Sequence, residues 1–110
     1  MLERLDTAKF RARACLWMYF SYRWRFVVAS PEVRIRGTLV AYRKIDSLAR
    51  RMPGGTELFG AGDVTVKKDN DPFIKQLRAA VKTGPGIHGI RLTNHPIDGS
   101  VLEDAFIYRA

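Results

Sequence analysis

From Tyr22 to Ala29 the chain alternates strictly, with Tyr22, Trp24, Phe26 and Val28 on one parity and Arg23, Arg25, Val27 and Ala29 on the other. Successive side chains of a strand point to opposite faces, so the pattern predicts a half-buried β-strand. Val33, Ile35, Leu39 and Ala41 then alternate with Arg34, Arg36 and Thr38, which predicts a second strand. Between the two, Ser30-Pro31-Glu32 suits a turn, serine at its first position and proline's fixed φ at its second. Proline cannot take the positive φ of a primed two-residue turn, so a four-residue loop closing Ala29 against Arg34 is expected. That register sets Val28 opposite Ile35, Phe26 opposite Gly37, Trp24 opposite Leu39 and Tyr22 opposite Ala41. It also gathers Arg23, Arg25, Arg34 and Arg36 on the reverse face, where like charges repel unless something anionic covers them.

Before this hairpin, Leu2, Leu5, Ala8, Ala12, Cys15 and Leu16 fall at helical spacing, with Glu3 and Asp6 early and Arg11 and Arg13 late, as the helix dipole favours. A helix to about Cys15 and a strand afterwards are expected. A period of two also runs back from Val28 to Phe10, but one unbroken strand of that length would span roughly 60 Å, too long for a domain of this size. After the hairpin, Lys44 to Met52 reads as a short helix with Ile45, Leu48 and Met52 inward, stopped by Pro53-Gly54-Gly55. Asp63 to Lys68 is a strand, and Asp71-Pro72 opens a helix that buries Ile74, Leu77 and Val81 and ends at Gly84.

Ile87 to Leu92 is a further strand, followed by a loop at Asn94-His95-Pro96 and a two-residue turn at Asp98-Gly99. With Ile97 and Ser100 closing that turn, Ile90 faces Ile107 and Leu92 faces Ala105. The rival reading makes Ser100 and Glu103 a capping box that starts a helix through Tyr108; Phe106-Ile107-Tyr108 favours the strand. The fold class expected is α+β, one domain over residues 1–110, with antiparallel hairpins and elements in the order α-β-β-α-β-α-β-β.

Of 110 residues, 46% are hydrophobic, 27% charged and 11% aromatic, a composition that folds rather than remaining disordered. The lone Cys15 leaves no intramolecular disulfide and suits a reducing compartment. Net charge is +8, and it is uneven: twelve Lys and Arg oppose four acids up to Met52, whereas seven oppose seven beyond it. Such asymmetry is the footprint of a surface that meets nucleic acid, anionic lipid or an acidic protein. The uncharged run Ala14–Tyr22 is nine residues, and about twenty are needed to cross a bilayer. A signal peptide fits poorly, because Arg23 and Arg25 separate that run from any cleavage site at Val27-Val28-Ala29. A soluble, cytoplasmic protein is expected.

Gly84-Pro85-Gly86-Ile87-His88-Gly89 matches GxGxxG, but a helix precedes it and a strand follows, the reverse of the dinucleotide-binding arrangement. Gly60-Ala61-Gly62 lacks a P-loop lysine; both read as turns. His88, His95, Asp98, Glu103 and Asp104 match no standard zinc spacing, and no second cysteine completes a thiolate site, so neither metal nor cofactor is expected. Cys15 reads as a small helix residue rather than a nucleophile. The closing Val101–Arg109 (VLEDAFIYR) resembles the last strand and tail of accessory domains that follow some ABC transporter ATPases; it spans nine residues and assigns no role to any of them.

The functional expectation is a non-enzymatic binding module that touches nucleic-acid phosphates, DNA or RNA, with weak sequence selectivity. Its contacts are Arg23, Arg25, Arg34 and Arg36, supported by Lys44, Arg50 and Arg51, with Trp17 and Tyr19 on the parity of Arg23 and Arg25 as stacking platforms. Internal pairing of the arginines with Asp63, Asp69, Asp71, Glu103 or Asp104 is the competing reading. The alternatives are a subunit of a larger assembly, meeting an acidic protein or a second copy of itself through an aromatic-rich edge strand, and attachment to an anionic membrane surface.

Overall fold

Ser21 and Tyr22 both take positive φ, 55° and 65°, and fold the long alternating stretch back on itself. The computed structural model, which describes residues 1–59, 63–84 and 86–110, places strand β1 at Ala14–Phe20 and strand β2 at Arg23–Ser30. They pair antiparallel, with Phe20 opposite Arg23 and Tyr19 opposite Trp24. A two-residue primed turn fits the twist of the strands, but it favours Gly, Asn or Asp. Ser-Tyr carries no such signal, and each residue held there stores strain of order 1 kcal/mol. The hairpin therefore lies one strand earlier than the alternation suggests, and the period-two run back toward Phe10 belongs to β1 and its approach. Helix α1 is correspondingly short, Leu2–Thr7, because Lys9 and Arg11 at φ 58° and 59° break it well before Cys15.

The second predicted arm, Val33–Ala41, is helical. Ser30 ends β2 in an extended conformation and caps helix α2 (Pro31–Arg36): its buried hydroxyl accepts from the Glu32 amide at 3.0 Å and donates to the Phe10 carbonyl at 2.6 Å. Ser-Pro-Glu is thus a helix start, with serine at the cap, proline at the first position and a carboxylate in the first turn. Gly37, at φ 92°, allows a bend that other residues resist, and helix α3 (Thr38–Arg50) follows it. Burial in α3 has helical period, at Ala41, Ile45, Leu48 and Ala49. Ile35 and Leu39, which the strand pattern placed inside, are 58% and 63% exposed.

A single turn, α4 (Gly55–Leu58), leads to strand β3 (Val64–Lys68), which pairs parallel with β2. Helix α5 (Pro72–Ala80) starts as predicted, the Asp71 carboxylate accepting from the Phe73 amide at 2.9 Å. Strands β4 (Ile90–Ile97) and β5 (Ser100–Arg109) form the second hairpin in the predicted register, Ile90 opposite Ile107, Leu92 opposite Ala105 and Ile97 opposite Ser100. Asn94-His95-Pro96 lies within β4 rather than in a loop; Pro96 is tolerated because β4 is an edge. Gly60-Ala61-Gly62 and Pro85 lie outside the described residues, so the turn expected at the first and the GxGxxG containing the second are not described.

The result is an α+β domain on a five-stranded mixed sheet in the order β3-β2-β1-β5-β4. Merging the run α2–α4 reproduces the predicted order of helices and strands. The sheet is buried on both sides. One face presents Cys15, Phe26, Val28, Val64 and Val66 to α1, α2, α3 and Phe59; the other presents Leu16, Val27, Ala105 and Ile107 to α5. Arg109, 7% exposed, ties the last strand to the beginning of the chain. It donates to both Asp6 carboxylate oxygens at 2.8 Å, to the Ala12 carbonyl at 3.0 Å and to the Gly86 carbonyl at 3.0 Å.

Ser30→Ala removes a helix cap, worth about 1 kcal/mol, and leaves the Phe10 carbonyl without its partner, worth about 1–3 kcal/mol. Urea titration should show a loss of about 2–4 kcal/mol; a loss below about 0.5 kcal/mol would contradict the cap. Asp6 is held below the ordinary carboxylate range, chiefly by its hydrogen bonds from Arg109. Its contribution is present above the unfolded value of about 4 and is lost as pH falls through the lowered folded value. The gap in urea midpoint between the parent and Asp6→Asn should therefore be widest near neutrality and close toward acid; a gap independent of pH would remove the ion pair from the stability account.

Candidate nucleic-acid interface

The four arginines expected on one ribbon face do not share a face. Arg23 and Arg25 lie on β2, on the α5 side of the sheet, whereas Arg34 and Arg36 project from α2 on the other side. Three of the four are paired within the chain. Arg34 Nε lies 3.1 Å from Asp69, Arg36 Nε 2.7 Å from Glu32, and Arg23 3.7 Å from Asp63. Glu32 is shared with Arg11 at 2.7 Å, and those two arginines hold its carboxyl below the usual range, as Arg34 holds that of Asp69. The internal-pairing reading thus describes Arg23, Arg34 and Arg36, with Asp63 and Asp69 as two of the partners; Asp104 pairs instead with Arg91 at 2.7 Å.

Trp17 and Tyr19 lie across the sheet from Arg23 and Arg25. The turn at Ser21-Tyr22 pairs odd positions of β1 with even positions of β2, so the parity shared in an unbroken strand is lost. Trp17 packs in the core, 5.1 Å from the Phe26 ring and 5.6 Å from the Phe59 ring, and Tyr19 meets Trp24 edge-on at 5.7 Å. The exposed rings of the hairpin tip are Phe20, Trp24 and Tyr22, the last 94% exposed.

The supporting cations fare differently. Arg50 pairs with Asp46 one turn back at 3.0 Å, but Lys44 and Arg51 are seven residues apart on α3 and its C-terminus, two turns along one side. They line two adjoining hollows of 340 and 590 Å³ between α3 and α1, which share Ala8 and Lys44. Lys9 and Arg36 line the first, Arg4 and Arg51 the second, so five cations from α1 and the turn after it, from α2, and from α3 and its C-cap border one groove. Among the described residues, Arg4, Lys9, Lys44 and Arg51 have no carboxylate within 4.0 Å. The groove's acids are Glu3 and the doubly paired Glu32. Arg4 and Lys9 were not among the expected contacts; the long helix predicted to Cys15 hid the bend that brings Lys9 toward α3.

Among the described residues no trio of His, Cys, Asp or Glu gathers in a metal-binding group. His95 stands opposite Leu102 on the edge hairpin, and the His88 amide donates to the Tyr108 carbonyl at 2.7 Å. Cys15 is fully buried in the central strand, not on a helix, and burial pushes its thiol up to about 12. Compared with protein-family models, with curated proteins and with solved structures, the chain matches none of them. No helix among the described residues is long and apolar enough to cross a membrane.

A thiolate is the reactive form of cysteine, so native Cys15 should not react with a disulfide reagent at pH 8 over an hour and should react at once in denaturant. Rapid reaction of the native protein would place the thiol at the surface.

Proposed function

We propose that the protein is a non-enzymatic module that binds nucleic acid through phosphate contacts in the groove between α1 and α3. The observation that carries this reading is the convergence of Arg4, Lys9, Lys44 and Arg51, none of them ion-paired among the described residues, along one groove with Arg36 at its end. Unpaired cations stay unpaired on a folded surface because water solvates them cheaply; aligned along a groove they create a field that favours a polyanion. Lys and Arg contacts to phosphate position a strand without reading its sequence, so the module would have weak selectivity. Arg34, Arg36 and Arg50, already neutralised by Asp69, Glu32 and Asp46, contribute less.

A second reading, a subunit of a larger assembly, is favoured by the exposed rings of Phe20, Tyr22 and Trp24 at the tip of the β1–β2 hairpin. Sedimentation at micromolar concentration separates it from the first, since it requires self-association or an obligate protein partner.

With four phosphates neutralised, affinity should fall about fiftyfold for a single strand and about 150-fold for duplex DNA between 50 and 200 mM salt. Lys44→Ala with Arg51→Ala should weaken binding and reduce the slope of log affinity against log salt by about 2. Lys75→Ala with Arg78→Ala removes the same charge from α5, and should leave the slope unchanged. Equal effects of the two double variants, or affinity independent of salt, would remove the groove as the contact surface.

A further inference from the structure

The two faces of the sheet are covered unequally. Three helices, α1, α2 and α3, pack on one, whereas the other has only the nine residues of α5. Beyond the N-terminus of α5 this leaves a cleft of 260 Å³, floored by Met18, Val27 and Thr65 of the three adjacent strands and walled by Phe73 and by Val101 and Leu102 of the second hairpin. The hairpin wall is fastened to α5: the Asp98 amide donates to the Gln76 side-chain oxygen at 2.6 Å, and the Gln76 amide donates back to the Asp98 carboxylate at 3.3 Å.

Two cations, Arg25 and Lys67, enter this cleft, whose lining is otherwise mostly apolar. Lys67 is partly satisfied, with Asp71 at 3.8 Å and the Phe73 ring centre at 5.8 Å. Arg25 is not. It has no carboxylate within 4.0 Å among the described residues, its guanidinium carbon lies 5.7 Å from the Phe20 ring centre, and its Nε is shut off from solvent without a hydrogen-bond partner. The carboxylate of Asp98, the one acid in the lining, is engaged by Gln76. Because Nε is closed to solvent it is equally closed to a ligand in the cleft, so contact falls to the part of Arg25 that lines it; a guanidinium beside a mostly apolar hollow matches a carboxylate with a hydrocarbon or aryl body. An apolar cavity of about 150 Å³ accepts one benzene, so the space holds about ten non-hydrogen atoms.

We infer that this cleft is a binding site for a small amphipathic carboxylate, its anionic end on Arg25 and its apolar body against Val27, Phe73 and Leu102. The site lies on the opposite side of the sheet from the α1–α3 groove and shares no residue with it. Arg25 is thereby assigned to a small anion.

Titration of the full chain with octanoate, followed by calorimetry and by amide chemical shifts, tests this. Octanoate should bind one-to-one and shift Val27, Phe73 and Leu102, and 1-octanol, which lacks the charge, should bind at least tenfold more weakly. Arg25→Gln should cost octanoate at least tenfold and leave octanol unchanged. Thr65→Phe, which fills the cleft from an edge strand and keeps both cations, should abolish binding while the urea midpoint shows the chain still folded. Equal affinity for octanoate and octanol, octanoate binding that survives Thr65→Phe in a folded chain, or no octanoate binding at 5 mM would each overturn the inference.

Discussion

The hydroxyl of Ser30 sits where β2 becomes α2, and the arrangement of the rest follows from its two hydrogen bonds. Accepting from Glu32, it turns the chain from extended to helical; donating to Phe10, it fixes the segment that leads into the central strand. Because the turn is a helix start and not a hairpin loop, α2 and α3 lie over the sheet and bury Val33, Ala41, Ile45 and Leu48 against Phe26 and Val28. The crossover through these helices then allows β3 to join β2 in parallel, which a tight hairpin could not. A buried side-chain hydroxyl with both its donor and its acceptor used is a strong local constraint, since either loss leaves a polar group in the core.

Charge follows from the same geometry. Moving Arg34 and Arg36 from a strand to a helix brings them to Asp69 and Glu32; of the acids that pair with the expected arginines, only Asp69 and Asp63 come from the second half, so they offset two charges of the first half's excess. Arg109 does the reverse, carrying a cation from the neutral second half to Asp6. What remains unneutralised in the helical layer lies along α1 and α3. Surface ion pairs of this kind contribute little stability each, but they decide which cations are left for a partner.

The unequal covering of the sheet separates two kinds of surface. On the α1–α3 side, cations without a carboxylate partner among the described residues lie along a groove, on long flexible side chains that keep their water. The α5 side holds a smaller, mostly apolar cleft bordered by Arg25 and Lys67. The first suits contacts that are numerous and individually weak; the second suits one small ligand held by a single strong contact.

The elements legible in the chain alone are those whose local chemistry permits one answer. Asp71-Pro72 is a helix start in any context, Asp98-Gly99 is a primed turn, and with those two points fixed the register of β4 and β5 follows to the residue. Alternation from Arg23 to Val28 likewise marks a strand, because its charged and apolar positions fall on opposite faces with a period of two. Three features needed the tertiary structure. Ser-Pro-Glu serves a turn or a helix cap equally well, and the contact with Phe10, twenty residues away, selects the cap. Ser21-Tyr22 takes a left-handed turn that its residues disfavour, because pairing seven residues on either side outweighs local strain. The basic groove joins Arg4 and Lys9 to Lys44 and Arg51 across some forty positions, and only packing of Leu2 and Leu5 beside Ala41, Ile45 and Leu48 brings them together. Sequence determined composition, net charge and the locally coded starts and turns; long-range burial decided which of two allowed local conformations each ambiguous segment adopts, and with it where the charges point.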